Sequence, residues 1–274
     1  MKTDNIPSTS YGILQQYQLE SSLDAAAEQV RNLGYAIIAS GYTESDLQGI
    51  SREFNICREH YVETYTTPKL RSLNEINTIR SPLTHGGEEF LRLALNKKLL
   101  SILTKLIQGK FILNQQNGLI NLPQEPYNQA AWHRDLPYQH FVSSKPIAIN
   151  ALFCIDDFTI DNGATFVIPA SHKFEDFPSQ NYIQKNAIQI EAKAGSFILL
   201  DSMVFHAGGY NQTQSVRRAV NQLFNIPFFK QQINIPMNMN SVNLSPEEKD
   251  ILGFSFTEPS SIPDYLSNRI STDY

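Results

Sequence analysis

Along the first third of the chain, apolar residues recur at helical spacing. In QLESSLDAAAEQVRNL, residues 18–33, the positions Leu19, Leu23, Ala26, Ala27 and Val30 share one face, and Gly34 stands where a helix C-cap would. The β-branched run GYAIIAS, 34–40, then reads as a strand. Thr43 followed by Asp46 is a capping-box start for a helix through about His60. Residues 64–90 are turn-rich, with Pro68, Pro82 and the pair Gly86-Gly87, and helices are expected again over 88–95 and 97–107.

From Lys110 the period changes. Strand-like runs separated by Gly, Asn and Pro dominate: FILNQQNGLINLP, KPIAINALFCIDDF, ATFVIPAS, NAIQIEAKAGSFILLDSMVFHAGG and VRRAVNQLFNIPFF. Asp161-Asn162-Gly163 signals a turn into ATFVIP. After Phe229 the chain turns polar, and Ser245-Pro246-Glu247-Glu248 predicts one late helix. Helices first and short strands later give an α+β fold with a mainly β core, an antiparallel sandwich or barrel with the N-terminal helices packed on one sheet. With no internal repeat and no linker, residues 1–274 read as a single domain. Its helical part covers about 18–107, its β core about 110–230 and its C-terminal extension 231–274.

Composition narrows the class. Apolar residues make up 41% and charged residues 18% of 274 residues, which is a globular rather than a disordered balance. Lys and Arg total 22 against 27 Asp and Glu, for a net charge of -5, and no basic stripe marks a nucleic-acid binder. No signal-peptide h-region opens the chain and no run is long enough for a membrane span, so a cytoplasmic protein is expected. Two cysteines, Cys57 and Cys154, are too few for a cysteine-based zinc site.

The chemistry concentrates in A-A-W-H-R-D-L-P-Y. His133 and Asp135 stand two apart, so on an extended segment both side chains point to one face. Far downstream, GSFILLDSMVFHAGG puts His206 at the end of a strand-like run. Two histidines and one carboxylate can form the facial triad of non-haem Fe(II) oxygenases, which leaves the opposite face of the octahedron open. Eleven residues after His206 comes Arg217, followed by Arg218, in a β-prone run. One of the pair faces the interior, where a buried guanidinium needs an anionic partner. Counting in twos from Arg217 gives Ala219, Asn221 and Leu223, a set suited to a wet pocket. Counting from Arg218 gives Val220, Gln222 and Phe224, suited to packing against helices.

W-H-R-D (132–135), N-G-A-T-F-V-I-P-A-S-H-K (162–173), A-G-S-F-I-L-L-D-S-M-V-F-H (194–206) and V-R-R-A (216–219) together resemble the phytanoyl-CoA dioxygenase family over about residues 30–230. These are Fe(II)- and 2-oxoglutarate-dependent oxygenases on a double-stranded β-helix, the jelly-roll or cupin-like fold. The resemblance implies His133, Asp135 and His206 as catalytic metal ligands and Arg217 as the partner of the C5 carboxylate of 2-oxoglutarate. It implies conversion of 2-oxoglutarate and O2 to succinate and CO2. Relatives that halogenate carry Ala or Gly at the carboxylate position, so Asp135 points to hydroxylation of an unactivated C–H bond, or a related two-electron oxidation, rather than halogenation; a small, polar metabolite is the expected substrate. Asn121 and Thr165 are the further candidates for the cosubstrate site, with Asn117 on the same face as Asn121.

Other residues carry weaker expectations. His172, in a P-A-S-H segment where the family has P-G-S-H, reads as structural, and Trp132 as a packing residue behind His133. His60 and His85 lack metal-like spacing. His140, Tyr138 and Phe141 are candidates for the substrate entrance. Lys69, Arg71, Arg80 and Arg92 could meet an anionic substrate, free or thioester-bound. A homodimer is left open, and neither nucleic acid nor membrane is an expected partner. Two rival readings stay open: a non-catalytic jelly-roll binding or sensing module, and a cupin-like metalloenzyme that uses no 2-oxoglutarate.

Overall fold

A computed structural model describes residues 6–137, 141–239 and 243–270. The first helix, α1 (Ser22–Leu33), starts four residues later than the apolar spacing suggested, because the Ser21 side chain caps it by accepting from Asp24 N. It ends at Gly34, whose φ of 84° is the left-handed cap expected there. Helix α2 (Glu44–Tyr65) begins at the Thr43/Asp46 capping box and runs five residues past His60. The turn-rich stretch hides a short helix, α3 (Thr67–Ser72), with Pro68 in its first turn. Helices α4 (Glu88–Ala94) and α5 (Lys97–Leu106) fall where their patterns place them.

Among the described residues, nine strands follow the chain: β1 (Tyr35–Ala39), β2 (Thr78–Arg80), β3 (Ile112–Asn121), β4 (Ala148–Cys154), β5 (Thr165–Val167), β6 (Ile188–Ile190), β7 (Ser196–Asp201), β8 (His206–Ala207) and β9 (Arg217–Asn225). They form two antiparallel sheets, one ordered β1-β7-β4-β9-β3-β2 and a smaller one ordered β6-β5-β8. This is the jelly-roll arrangement of two facing sheets, and the described strands do not close into a barrel. The long apolar run 186–209 is three strands rather than one. Gly195, at φ +82°, turns the chain between β6 and β7, and Ser202–Phe205 turns it again before β8.

Helix α6 (Gln180–Asn186) was not visible as a period-3.6 pattern; it is set by Ser179, whose side chain accepts from Tyr182 N. Among its described residues the tail holds three α-helices instead of one. The expected one is α8 (Pro246–Leu252), with its Ser245/Glu248 capping box, and it is flanked by α7 (Ile235–Asn238) and α9 (Ile262–Ile270).

The two faces of the large sheet do different work. Val220 and Phe224 of β9, Ile149, Ala151 and Phe153 of β4, and Phe197 and Leu199 of β7 are buried with residues of α1, α2, α4 and α5 in the main hydrophobic core. Register partners on neighbouring antiparallel strands share a face. The opposite set therefore lines up as Arg217 beside Asn121, Asn221 between Asn117 and Leu152, and Leu223 beside Asn150. That second face looks toward the small sheet and is rich in amides. Both cysteines are buried and unpaired, and burial pushes each thiol up to about 12, so neither is a nucleophile at neutral pH. Among the described residues, no helix is long and apolar enough to cross a membrane.

Candidate metal and cosubstrate site

The site is assembled from a short extended segment laid beside β8. His133 N donates to His206 O at 3.0 Å and His206 N returns the bond to His133 O at 3.1 Å. On its other edge β8 pairs with β5, Val167 opposite His206. Asp135 N donates to Ser202 O at 3.0 Å, which keeps residues 133–135 extended, so the two side chains emerge on one side. The ligand-type atoms of His133, Asp135 and His206 all lie within 4.8 Å of one another. Asp135 Oδ1 is 3.8 Å from His133 Nε2 and 3.6 Å from His206 Nε2.

Each histidine is held in the tautomer a metal requires. His133 Nδ1 bonds to the Ala131 carbonyl at 2.8 Å, and His206 Nδ1 to the Val204 carbonyl at 3.1 Å. A carbonyl only accepts, so Nδ1 carries the proton and the Nε2 lone pair is left for a cation. Burial pushes the His206 imidazole below its ordinary value, which favours the same neutral form. Asn150, on β4, donates its side-chain amide to Asp135 Oδ2. The donor set of two imidazoles and one carboxylate, with its outer hydrogen bonds in place, fits a divalent iron.

Arg134, between the two ligands, points the other way. Its guanidinium donates to the carbonyls of Met203 at 2.7 Å, Glu175 at 3.0 Å, Ser171 at 3.1 Å and Phe174 at 2.6 Å, and it lies 3.9 Å over the Phe205 ring. It therefore ties the 133–135 segment to the turn that carries His206.

Arg217 starts β9 on the inner face. It is 3% exposed, sits 3.9 Å over the Phe158 ring and 5.8 Å from the Tyr127 ring, and its Nε has no hydrogen-bond partner. A buried guanidinium with an unmet donor fits an incoming carboxylate. Arg218 faces outward into a two-pronged pair with Asp156, at 2.7 and 3.0 Å, and a bond to Asn55 at 2.8 Å. One cavity is lined by the triad together with Arg217, Tyr127, Thr165, Asn150, Asn221, Leu119 and Leu152.

The remaining candidates scatter. Asn121 is fully buried opposite Arg217 but spends its amide N–H on the Gly209 carbonyl, 2.9 Å away. Asn117 donates to Gln232 at 3.2 Å. His172 is buried against the Arg31 carbonyl at 3.0 Å, and its turn places Ala170 at φ 62°. Trp132 packs between Phe166 and Phe177. His60, His85 and Phe141 are exposed and away from the cavity, whereas Tyr138 and His140 lie outside the described residues. Arg71, Arg80 and Arg92 are already paired, with Glu125, with Glu75, and with Asp46 and Glu89; Lys69 lies over the Tyr65 ring. None of these four lines the cavity. Sequence reasoning missed Asn150, Tyr127 and Arg134. The only available signal was Arg134 between two ligands, a position where solvent exposure is the ordinary expectation.

Comparison with known proteins agrees with this geometry. Uncharacterized proteins of Mycobacterium bovis (Mb1539) and Mycobacterium tuberculosis (Rv1501) are 31% identical over 219 residues, covering 78% of this chain and 79% of each relative. The dioxygenase hkm4 of Aspergillus hancockii is 26% identical over 234 residues, covering 79% and 75%. Among solved structures, EctD from S. alaskensis with bound Fe superposes with a TM-score of 0.64 at 16% identity, covering 78% of this chain and 81% of that one. The epimerase SnoN, in complex with Fe3+, alpha ketoglutarate and nogalamycin RO, gives 0.60 at 15%, covering 81% and 91%. At such identities the two structures speak for the fold. The sequence profile described as Phytanoyl-CoA dioxygenase (PhyH) matches residues 30–219. With that match over most of its length, the chain belongs to the phytanoyl-CoA dioxygenase family of iron- and 2-oxoglutarate-dependent oxygenases.

Proposed function

We propose that this oxygenase hydroxylates an unactivated C–H bond of a small, polar molecule. One atom of O2 enters the product and the other enters succinate, as 2-oxoglutarate loses CO2. His133, Asp135 and His206 would hold the iron, which supplies the redox chemistry that couples the decarboxylation to substrate oxidation. The protein supplies position and charge. His133 and His206 present neutral Nε2 atoms because the backbone carbonyls of Ala131 and Val204 fix their tautomers. Asn150 occupies one oxygen of Asp135 and leaves the other toward the histidines. Arg217 would receive the far carboxylate of 2-oxoglutarate, with Thr165 and Tyr127 beside it on the cavity wall.

The observation that carries the reading is the buried Arg217, whose Nε lacks a partner on the wall of the same cavity as the triad. Neither a bare binding module nor a metalloenzyme without a dicarboxylate cosubstrate has use for it. Asp135 distinguishes hydroxylation from halogenation, since its carboxylate fills the position that a halide would need. The test supplies Fe(II)-loaded protein with 2-oxoglutarate, labelled O2 and fractions of a small-molecule extract. Succinate released above the uncoupled background, with one labelled oxygen in a product, supports the proposal. A product that has lost two hydrogens or changed only its configuration contradicts hydroxylation.

A further inference from the structure

The loop of residues 122–130, which leaves β3 at Asn121, brings Tyr127 to the wall of the cavity beside Arg217. This loop is pinned from several directions. Gln124 N donates to the Asn211 carbonyl at 2.9 Å, the Asn128 side chain to the Asn74 carbonyl at 2.9 Å, and Glu125 pairs with Arg71 at 3.0 Å. Gly208 N, two residues past the ligand His206, donates to the Gln129 carbonyl at 2.7 Å. A side chain carried by a loop held in this way keeps a fixed position. The Tyr127 ring is buried and rests against Gly208, where a Cβ would come within 2.4 Å of a ring carbon. In that direction the ring has no room to retreat.

The hydrogen bonding at this end of the cavity is incomplete in one particular way. The Tyr127 hydroxyl interacts directly with the Arg217 guanidinium, whose carbon lies 5.8 Å from the ring centre. A guanidinium only donates, so the phenol oxygen accepts from it and the phenol proton is left for another acceptor. Burial pushes the Tyr127 phenol up, so that proton stays in place at neutral pH. Arg217 Nε is a second donor without a partner. Asn121, the register partner of Arg217, cannot add a third, because its N–H is given to the Gly209 carbonyl and its unmet atom is the acceptor Oδ1. Two donors, one of them charged, suit a carboxylate.

Resting on the oxygenase reading, we propose that Tyr127 sets which 2-oxo acid the enzyme accepts. Its hydroxyl donates a hydrogen bond to the C5 carboxylate held by Arg217, and its ring, backed by Gly208, limits the acid to five carbons. The metal fixes one end of 2-oxoglutarate, and Arg217 with Tyr127 fixes the other. A six-carbon acid held by the same metal must drive its carboxylate into the ring, and a well-packed wall resists one added methylene. A five-carbon acid without the far carboxylate leaves both donors unmet.

The test is calorimetric titration of the Ni(II)-loaded protein with three acids: 2-oxoglutarate, the six-carbon 2-oxoadipate, and 2-oxopentanoate, which has five carbons and no far carboxylate. In the wild type, 2-oxoglutarate should bind at least about tenfold more tightly than 2-oxoadipate. Tyr127→Phe keeps the ring and removes the hydroxyl. It should weaken 2-oxoglutarate by about tenfold or more, the size of a lost hydrogen bond to a charged group. Binding of 2-oxopentanoate and of Ni(II) itself should stay within about twofold of wild type, which a merely structural tyrosine would not ensure. Tyr127→Ala removes the wall, and 2-oxoadipate should gain about tenfold or more relative to 2-oxoglutarate. Tyr127→Leu, which keeps more of the packing, carries the same expectation. Unchanged 2-oxoglutarate binding in Tyr127→Phe, an equal loss for all three acids, an unchanged ratio of the two dicarboxylates in Tyr127→Ala and Tyr127→Leu, or a wild type that takes 2-oxoadipate as readily as 2-oxoglutarate would each overturn the inference. Failure of 2-oxoglutarate to bind the loaded wild type would reject the oxygenase reading, and this inference with it.

Discussion

Asn150 donates its side-chain amide to Oδ2 of Asp135, and the other oxygen, Oδ1, faces the two histidine Nε2 atoms at 3.6 and 3.8 Å. The carboxylate is thereby turned by a residue from a different strand, in the middle of the large sheet. Asn150→Ala should weaken divalent metal binding by about 10–100-fold while the fold persists, since outer partners of metal ligands commonly have effects of that size. Calorimetric titration with Ni(II) reads the change, and an unaltered affinity would mean that Asp135 orients itself without help.

Arg217 and Arg218 are adjacent in sequence and opposite in environment. Removing one partner of a buried charge pair costs about 2–5 kcal/mol. Arg217→Ala should therefore raise the dissociation constant for 2-oxoglutarate by about 30-fold or more, at 1.4 kcal/mol per tenfold. Arg218→Ala breaks a partly buried pair with Asp156 and should cost about 1 kcal/mol in stability, with 2-oxoglutarate binding changed only a few-fold. The reverse order of effects would show that the other arginine serves the cavity.

How much of this was legible depends on how local the signal is. His133 and Asp135 are two apart, and an extended chain needs nothing else to bring them to one face. Arg217 followed from parity, because β9 is regular at that end; the register shift in this sheet lies on β3, between Leu113 and Gln115. Asn150 was illegible for the opposite reason. In KPIAINALFCIDDF it reads as one polar residue in a buried strand, and its meaning arises only when β4 brings it to Asp135, fifteen residues back. Arg134 likewise depends on four carbonyls supplied by residues 171–175 and 203. The short helices α3, α6 and α7 offer too few turns for a periodic pattern, and their starts rest on single caps or prolines.

Ala170 occupies left-handed space, φ 62° and ψ 6°, in the turn before His172. A Cβ there costs about 1 kcal/mol or more, which glycine avoids, and part of the gain is returned through the greater freedom of the unfolded chain. Ala170→Gly should be neutral to stabilising by up to about 1 kcal/mol. Urea unfolding measures it, and a clear destabilisation would show that the methyl group packs usefully.

His172 ties this turn to α1 through the Arg31 carbonyl, and burial holds its imidazole below the ordinary value of 6.5. The unfolded chain thus binds this proton more readily than the folded one. The contribution is present above about pH 6.5 and is lost as pH falls below it toward the depressed folded value. Asp201, raised by burial, acts in the opposite sense, its penalty growing as pH rises from about 3.8. In His172→Gln, stability should fall less than in wild type between about pH 6.5 and 5. Equal slopes in that window would contradict a neutral buried His172.

The central claim is that one cavity holds both iron, on His133, Asp135 and His206, and 2-oxoglutarate, on Arg217. Anaerobic titration of the protein with Fe(II) and then 2-oxoglutarate tests it most directly. A weak visible metal-to-ligand charge-transfer band, present in wild type, lost in Asp135→Ala and needing far more 2-oxoglutarate in Arg217→Ala, is the predicted result. Iron bound without any such band on saturation with 2-oxoglutarate, or a band indifferent to both substitutions, would contradict the account.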